Sequence, residues 1–223
     1  MLDIFMFQEI FLLIGKLEVL RYIAVMQEEK EQHFLLYKPD GYLSQFDINE
    51  PKGYKKKLLG EIYDFPEGTM AIGRLDEASE GLLLLTSNGK LSHFINSSTI
   101  EKEYYAQVDG VITEEALENL QNGLELTGDG NTYESKSCVA KKISLPDLPS
   151  RRKNIRGEHH GPTSWISVTL TEGKYRQVRR MTAAVGFPTL RLVRVRIGDL
   201  VIEGMLPEQV TPLPNLMELV DFE

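Results

Sequence analysis

Ala71-Ile72-Gly73-Arg74-Leu75-Asp76-Glu77-Ala78-Ser79-Glu80-Gly81-Leu82-Leu83-Leu84-Leu85-Thr86-Ser87-Asn88-Gly89 is the stretch from which the rest of the chain can be read. A four-leucine run bounded by Gly81 and Gly89 predicts a short strand buried on both faces. The polar segment before it, Gly73 to Glu80, is then a loop held by core at both ends. Loops fixed by rigid elements are where binding and catalytic groups concentrate. Spacing alone leaves two readings of Arg74 and Asp76 open: a surface ion pair, or a carboxylate held for chemistry.

Outward from this stretch, the flanking segments alternate between strand and helix patterns. Upstream, Phe34–Tyr37 predicts a short strand that stops at the turn Lys38-Pro39-Asp40-Gly41. Residues 47–68 carry Pro51, Gly53, Gly60, Pro66 and Gly68 and read as loop; the triplet Lys55–Lys57 there reads as a solvated turn. Downstream, Lys90–Asn96 predicts a short helix. Lys102–Val108 predicts a strand with Tyr104, Ala106 and Val108 on one face. Thr113–Gln121 predicts a helix capped by Thr113, with Glu114 and Glu115 in its first turn. Further strands are expected over Ser135–Ser144, Trp165–Leu170 and Leu190–Ile197, and a helix over Lys174–Val185, ended by Gly186 and Pro188. Strands and helices mix without a strict βα repeat, so the fold class is α+β with a mainly antiparallel sheet.

The formal net charge is −8, which taken globally argues against a nucleic-acid partner. The average hides an asymmetry. Residues 150–196 hold eleven Lys and Arg against Glu158 and Glu172, a window of +9 in a chain whose remainder is −17. Nine of the eleven are Arg, the residue suited to bidentate phosphate contacts and to stacking. Part of the window is a long loop, residues 145–163, which carries Arg151, Arg152, Lys153 and Arg156; loops of that length in a compact domain are functional or disordered. Adjacent His159 and His160 on that loop read as solvated. Within Lys174–Val185, Arg176, Arg179 and Arg180 fall at i, i+3 and i+4 and so share a helix face, with Val178, Met181 and Val185 packed behind. One of these arginines could hold Asp76 ionised and oriented.

Other classes find little support. Cys138 is the only cysteine; it can form no internal disulfide, and a cytosolic location fits. No Walker loop, dinucleotide fingerprint or Cys/His cluster is present, so no cofactor or metal is expected. Residues 1–32 are treated as an N-terminal extension and residues 33–223 as the regular domain. The extension's longest clean apolar run, Ile10–Ile14, is too short to span a bilayer, so no membrane partner is expected.

Four segments together resemble bacterial pseudouridine synthases of the small-subunit pseudouridine synthase A family. Gly73–Thr86 resembles the family's aspartate signature, Phe34–Gly41 its opening strand and Lys-Pro turn, Lys102–Val108 its Lys-x-Tyr motif, and Glu172–Met181 its third motif. The resemblance implies a pseudouridine synthase fold with a central RNA-binding cleft, and isomerisation of uridine in RNA. It implies Asp76 as the catalytic carboxylate, Tyr104 stacked on the uracil and Arg179 as the aspartate's partner. Arg74 is implied to fill the place of the flipped base, while Lys102, Arg176, Arg180, Arg151, Arg152, Lys153 and Arg156 are candidate RNA contacts. Pro162–Trp165 and Val185–Leu192 resemble a branch that lacks an S4-type RNA-binding domain, which points to 23S ribosomal RNA in the large subunit as partner. A cytoplasmic monomer is expected. Competing readings are a non-catalytic RNA-binding or ribosome-assembly factor on the same scaffold, and a hydrolase pairing Asp76 with Glu80.

Overall fold

The computed structural model describes residues 31–47, 56–128, 131–151, 155 and 160–216. Eleven strands and three α-helices are present among them. The strands are β1 (His33–Lys38), β2 (Met70–Ile72), β3 (Glu80–Thr86), β4 (Lys102–Asp109), β5 (Glu125–Gly128), β6 (Asn131–Glu134), β7 (Val139–Ile143), β8 (Thr163–Leu170), β9 (Thr189–Ile197), β10 (Leu200–Val201) and β11 (Val210–Leu213). The helices are α1 (Gly89–Ser97), α2 (Glu114–Asn122) and α3 (Gln177–Ala184). The main sheet runs β11-β1-β3-β9-β4-β8-β7, with β2 beside β3 and β10 beside β9. All its pairs are antiparallel except β3 with β9. The expected α+β architecture is the one observed.

The leucine run explains the position of β3. The strand lies inside the sheet between β1 and β9, and a separate core covers each of its faces, so neither meets water. Leu82 and Leu84 join one core with Leu35, Tyr37, Val193 and Val195; Leu83 and Leu85 join another with Phe34, Leu36 and Leu59. All four are at most 1% exposed. Each contributes roughly 1.5–3 kcal/mol of burial free energy. A strand buried on one face only would alternate instead, as β4 does where Ala106 and Val108 face a third core under α2 and α3. Gly81 is needed where β3 meets β9. Its φ is +106°, and a Cβ there would lie 2.3 Å from the Arg194 carbonyl oxygen.

Three local expectations are corrected. β7 begins at Val139, not Ser135, because Ser135 extends the β5–β6 pairing: its amide donates to the Leu124 carbonyl and its hydroxyl accepts from the Leu124 amide. The β5–β6 hairpin is not anticipated above. Its cue was the two-residue Asp129-Gly130 between Gly128 and Asn131, a common hairpin turn. Finally, α3 begins at Gln177, because Arg176 is left-handed (φ 49°, ψ 35°) and cannot belong to the helix. Beyond β9, β10 and β11 complete the sheet. Pro212 falls on β11, an edge strand, where a missing amide is tolerated. Residues 1–30, on which most of the N-terminal extension falls, lie outside the described residues.

Candidate active site

Gly73 to Ser79 connects β2 to β3, and the shape of its Leu75–Ser79 part is set by hydrogen bonds from outside the loop as well as within it. The Ser44 hydroxyl accepts from the Leu75 amide and donates to the Leu75 carbonyl. The Asp76 carbonyl accepts from the Ser79 amide at 3.0 Å, and the Glu77 carbonyl from the Gly41 amide at 2.8 Å. Arg179 donates to the Ala78 carbonyl at 3.0 Å, and Lys38 to the Ser79 carbonyl at 2.8 Å. Five consecutive carbonyls are thus each engaged by a named donor. Lys38 also donates to the Pro39 carbonyl at 2.9 Å and is fully buried. Burial pulls its ammonium down to about 7, against the opposing pull of the carboxylates of Asp40, Glu80, Asp76 and Glu77.

On this scaffold stands Asp76, whose side chain is 22% exposed. Its Oδ2 lies 3.3 Å from Arg176 Nη1 and 3.5 Å from Arg179 Nε, and the Ser79 hydroxyl approaches the same oxygen at 3.5 Å. The two cations differ. Arg179 is mostly buried and further tied to Ser79 Oγ at 3.2 Å and the Thr189 carbonyl at 3.3 Å. Burial lowers its pKa, with Asp76 pulling the other way. Arg176 is 41% exposed and reaches Asp76 from its left-handed position before α3, not from a shared helix face. Non-glycine residues held in that conformation cluster at functional sites. The local turn is closed by Gln177, whose side chain accepts from the Lys174 amide and donates to the Glu172 carboxylate.

Asp76, Arg74, Tyr104 and Arg176 line one cavity of about 60 Å³, together with Leu192. Arg74 is exposed. The nearby acids are engaged elsewhere: Glu77 pairs with Lys56, and Glu80 with Arg191 and Arg151. Lys102 lines an adjoining cavity that also includes Arg74 and Tyr104. A larger cavity of about 540 Å³, between Leu145–Pro149 and Val201–Met205, contains none of these groups. Convergent charged groups rather than size therefore mark the candidate site.

Other candidates sit elsewhere. Arg180 lies over the Tyr133 ring at 5.0 Å and donates to the Tyr175 carbonyl. Arg151 turns inward. It pairs with Asp40 and with Glu80, and its guanidinium is 3.4 Å from the Ala78 carbonyl. Arg152, Lys153 and Arg156 lie outside the described residues. Glu80 is 4% exposed and held by Arg191 through two hydrogen bonds of 3.0 and 2.9 Å, which removes it as a second acid for Asp76. The +9 window is therefore not a bare basic face: Arg151, Arg191 and Arg196 are paired with carboxylates, and Arg194 is buried. Lys56 pairs with Glu77 and Lys57 lies over Tyr42, while Lys55 is outside the described residues. Ser44 and Lys38 had no signal in the sequence as site residues beyond Lys38's place in a turn. Cys138 is half-buried, with its thiol donating to the Leu120 carbonyl. Among the described residues, no His/Cys/Asp/Glu group could hold a metal, and no helix is long and apolar enough to cross a membrane.

Comparison with known proteins gives consistent similarities. A family model described as RNA pseudouridylate synthase matches residues 32–184. Ribosomal large subunit pseudouridine synthase E of Xanthomonas axonopodis pv. citri is 43% identical over 176 residues, covering 78% of this chain and 89% of that protein. The protein of the same name from Vibrio parahaemolyticus is 41% identical over 174 residues, covering 77% of this chain and 69% of that one. A crystal structure of a pseudouridylate synthase superposes with a TM-score of 0.66 at 28% identity, covering 85% of this chain and 72% of that chain.

Proposed function

This chain belongs to the RNA pseudouridylate synthase family, and from that premise we propose that it isomerises a uridine of 23S ribosomal RNA with Asp76 as its catalytic carboxylate. The relatives' names support a large-subunit ribosomal RNA as the partner. The observation that carries the assignment of Asp76 is its setting: one carboxylate, flanked by two guanidinium groups, in a cavity shared with Tyr104 and the exposed Arg74.

The chemistry follows from those groups. Pseudouridine formation breaks the N1–C1′ bond, turns the uracil and joins C5 to C1′. Nothing is oxidised. Asp76 meets the electron-deficient C1′. Its Oδ2 is occupied by Arg176, Arg179 and Ser79, which leaves Oδ1 to act. Cations beside a carboxylate keep it ionised and fix its rotamer. Tyr104 stacks on the uracil. A base inside folded RNA must leave its stack before C1′ can reach Asp76, and Arg74 takes the vacated place. Arg176 and Arg180 contact the RNA backbone, as do Arg152, Lys153 and Arg156 of the long loop, whereas the inward Arg151 supports the stem of that loop. Residues 33–223 act as one catalytic domain, as a monomer in the cytoplasm.

The test is to map pseudouridines in the ribosomal RNA of cells lacking the gene, complemented with wild type or Asp76→Asn. One site should disappear on deletion and return with wild type only. Restoration by Asp76→Asn would sink the assignment.

A further inference from the structure

Behind the Asp76 loop stand four buried charges that the proposed reaction does not use: Asp40, Glu80, Arg151 and Arg191. Their side chains are 9, 4, 13 and 9% exposed. They come from four places in the chain: the turn after β1, the start of β3, the stretch after β7, and β9. Arg191 holds Glu80 through two hydrogen bonds. Arg151 pairs with Asp40, and its Nε lies 3.4 Å from Glu80 Oε1. Two cations and two carboxylates cancel within the group. Well-packed apolar side chains often fill such a space with no loss of stability, so the cluster needs an account beyond stability.

What the cluster holds supplies one, because its contacts converge on one loop. Glu80 follows Ser79 directly. Asp40 precedes Gly41, whose amide donates to the Glu77 carbonyl at 2.8 Å. Arg151 Nη2 itself donates to the Ala78 carbonyl at 3.4 Å. Arg191 Nη2 donates to the Pro149 carbonyl at 2.7 Å and so pins the backbone two residues before Arg151. A single guanidinium, that of Arg151, thus reaches the turn after β1, the Asp76 loop and the start of β3.

Arg179, the buried partner of Asp76, feels the same pair. Burial is the main cause of its lowered pKa, and Asp76 opposes it; Arg151 then adds to the lowering, and Asp40 works against it. Arg151 stands at the head of a basic run, Arg151-Arg152-Lys153, which gives it the look of a phosphate contact in the sequence. Its guanidinium instead faces inward, onto two carboxylates and a loop carbonyl.

We propose that Arg151 is a positioning residue for Asp76, acting through Asp40 and the Ala78 carbonyl, and not a contact to RNA phosphate. The proposal rests on the reading of Asp76 as the catalytic carboxylate. A carboxylate that must meet C1′ tolerates little displacement, since a reacting group about 1 Å out of place can lose about a hundredfold in rate. Arg151 holds the half of the loop that follows Asp76, as Ser44 holds Leu75 before it.

The test is single-turnover pseudouridine formation on ribosomal RNA from cells lacking the gene, with RNA affinity followed as a function of salt. Arg151→Met should slow turnover roughly ten- to a hundredfold. Affinity should change little, with an unchanged slope of log affinity against log salt. Asp40→Leu should slow turnover comparably. Arg151→Met/Asp40→Leu should be no slower than the worse single variant, as groups acting as a unit behave. That double variant strands neither charge of the pair, so it decides if a single one fails to fold. A folded Arg151→Met or double variant working at the wild-type rate, with Asp76→Asn inactive, overturns the positioning role and leaves the reaction centre standing. A loss of affinity with a salt slope lower by about one makes Arg151 a phosphate contact and overturns the role as well. An active Asp76→Asn instead overturns the reaction centre itself.

Discussion

Replacing Arg179 with Met keeps an unbranched apolar stem and removes the guanidinium with its charge. Arg179 sits 3.5 Å from Asp76 and donates to Ala78, Ser79 and Thr189 at 3.0, 3.2 and 3.3 Å. Three effects should separate. Turnover should fall roughly 10²–10³-fold, about 2.7–4 kcal/mol in the barrier, because Asp76 loses its buried, prepositioned partner. Stability should fall by about 1–3 kcal/mol, the cost of buried acceptors left short of a donor. RNA affinity should move little, because only 12% of the side chain is exposed. Arg179→Lys should land between, since one ammonium cannot reach Asp76, Ala78 and Ser79 together. The assay is pseudouridine formation under single-turnover conditions, with filter-binding affinity and urea denaturation on the same preparations. Wild-type turnover in Arg179→Met would refute the reasoning. So would a loss of affinity as large as the loss of turnover, which would make Arg179 an RNA contact.

Arg176 is left-handed, a conformation that costs a non-glycine residue about 1–2 kcal/mol. After glycine's own entropy cost, Arg176→Gly should leave the protein as stable as wild type or more so, by up to about 1 kcal/mol, while turnover falls; a clear loss of stability in urea denaturation would contradict strain at this position. Glu80→Leu should destabilise by about 3–5 kcal/mol, because it strands the buried Arg191 guanidinium; a loss under about 1 kcal/mol would mean the pair is dispensable. Lys38 gives a pH signature. Its folded pKa of about 7 lies below the ordinary 10.5, so between those values the unfolded chain binds more protons. Stability should therefore rise with pH across that window, by at most about 1.4 kcal/mol per unit from this group. Urea denaturation at pH 7.5 and 9.5 should show the rise in wild type and lack it in Lys38→Met; equal slopes would rule it out.

What could be read in advance was whatever repeats along the chain. The Leu82–Leu85 run announced an interior strand because both faces of β3 are covered, and the alternation in β4 announced the face on which Ala106 and Val108 meet the core. Positions that depend on one backbone torsion were not legible. The apolar spacing of Val178, Met181 and Val185 runs smoothly into Arg176, and nothing in it reveals that Arg176 is left-handed. Charge was misleading for a related reason. Arg151 and Arg191 look like part of a basic field until Glu80 and Asp40 arrive from about 110 residues away. The loop that carries Asp76 showed its side chains, and Arg179 was already implied as the aspartate's partner, but the supports from Lys38 and Ser44 meet it only in three dimensions.

Those supports have a mechanical consequence. A loop with five successive carbonyls already engaged has little slack to reshape itself around an incoming strand. With Asp76 as the proposed catalytic carboxylate, the protein's half of the encounter would be rigid, and the distortion that brings a ribose within its reach would fall to the RNA. Nucleotides in pre-bent, mismatched or unpaired surroundings give way most easily. On that proposal the stiffness of one short turn would act as a filter, selecting a target by how readily it can be pulled out of shape.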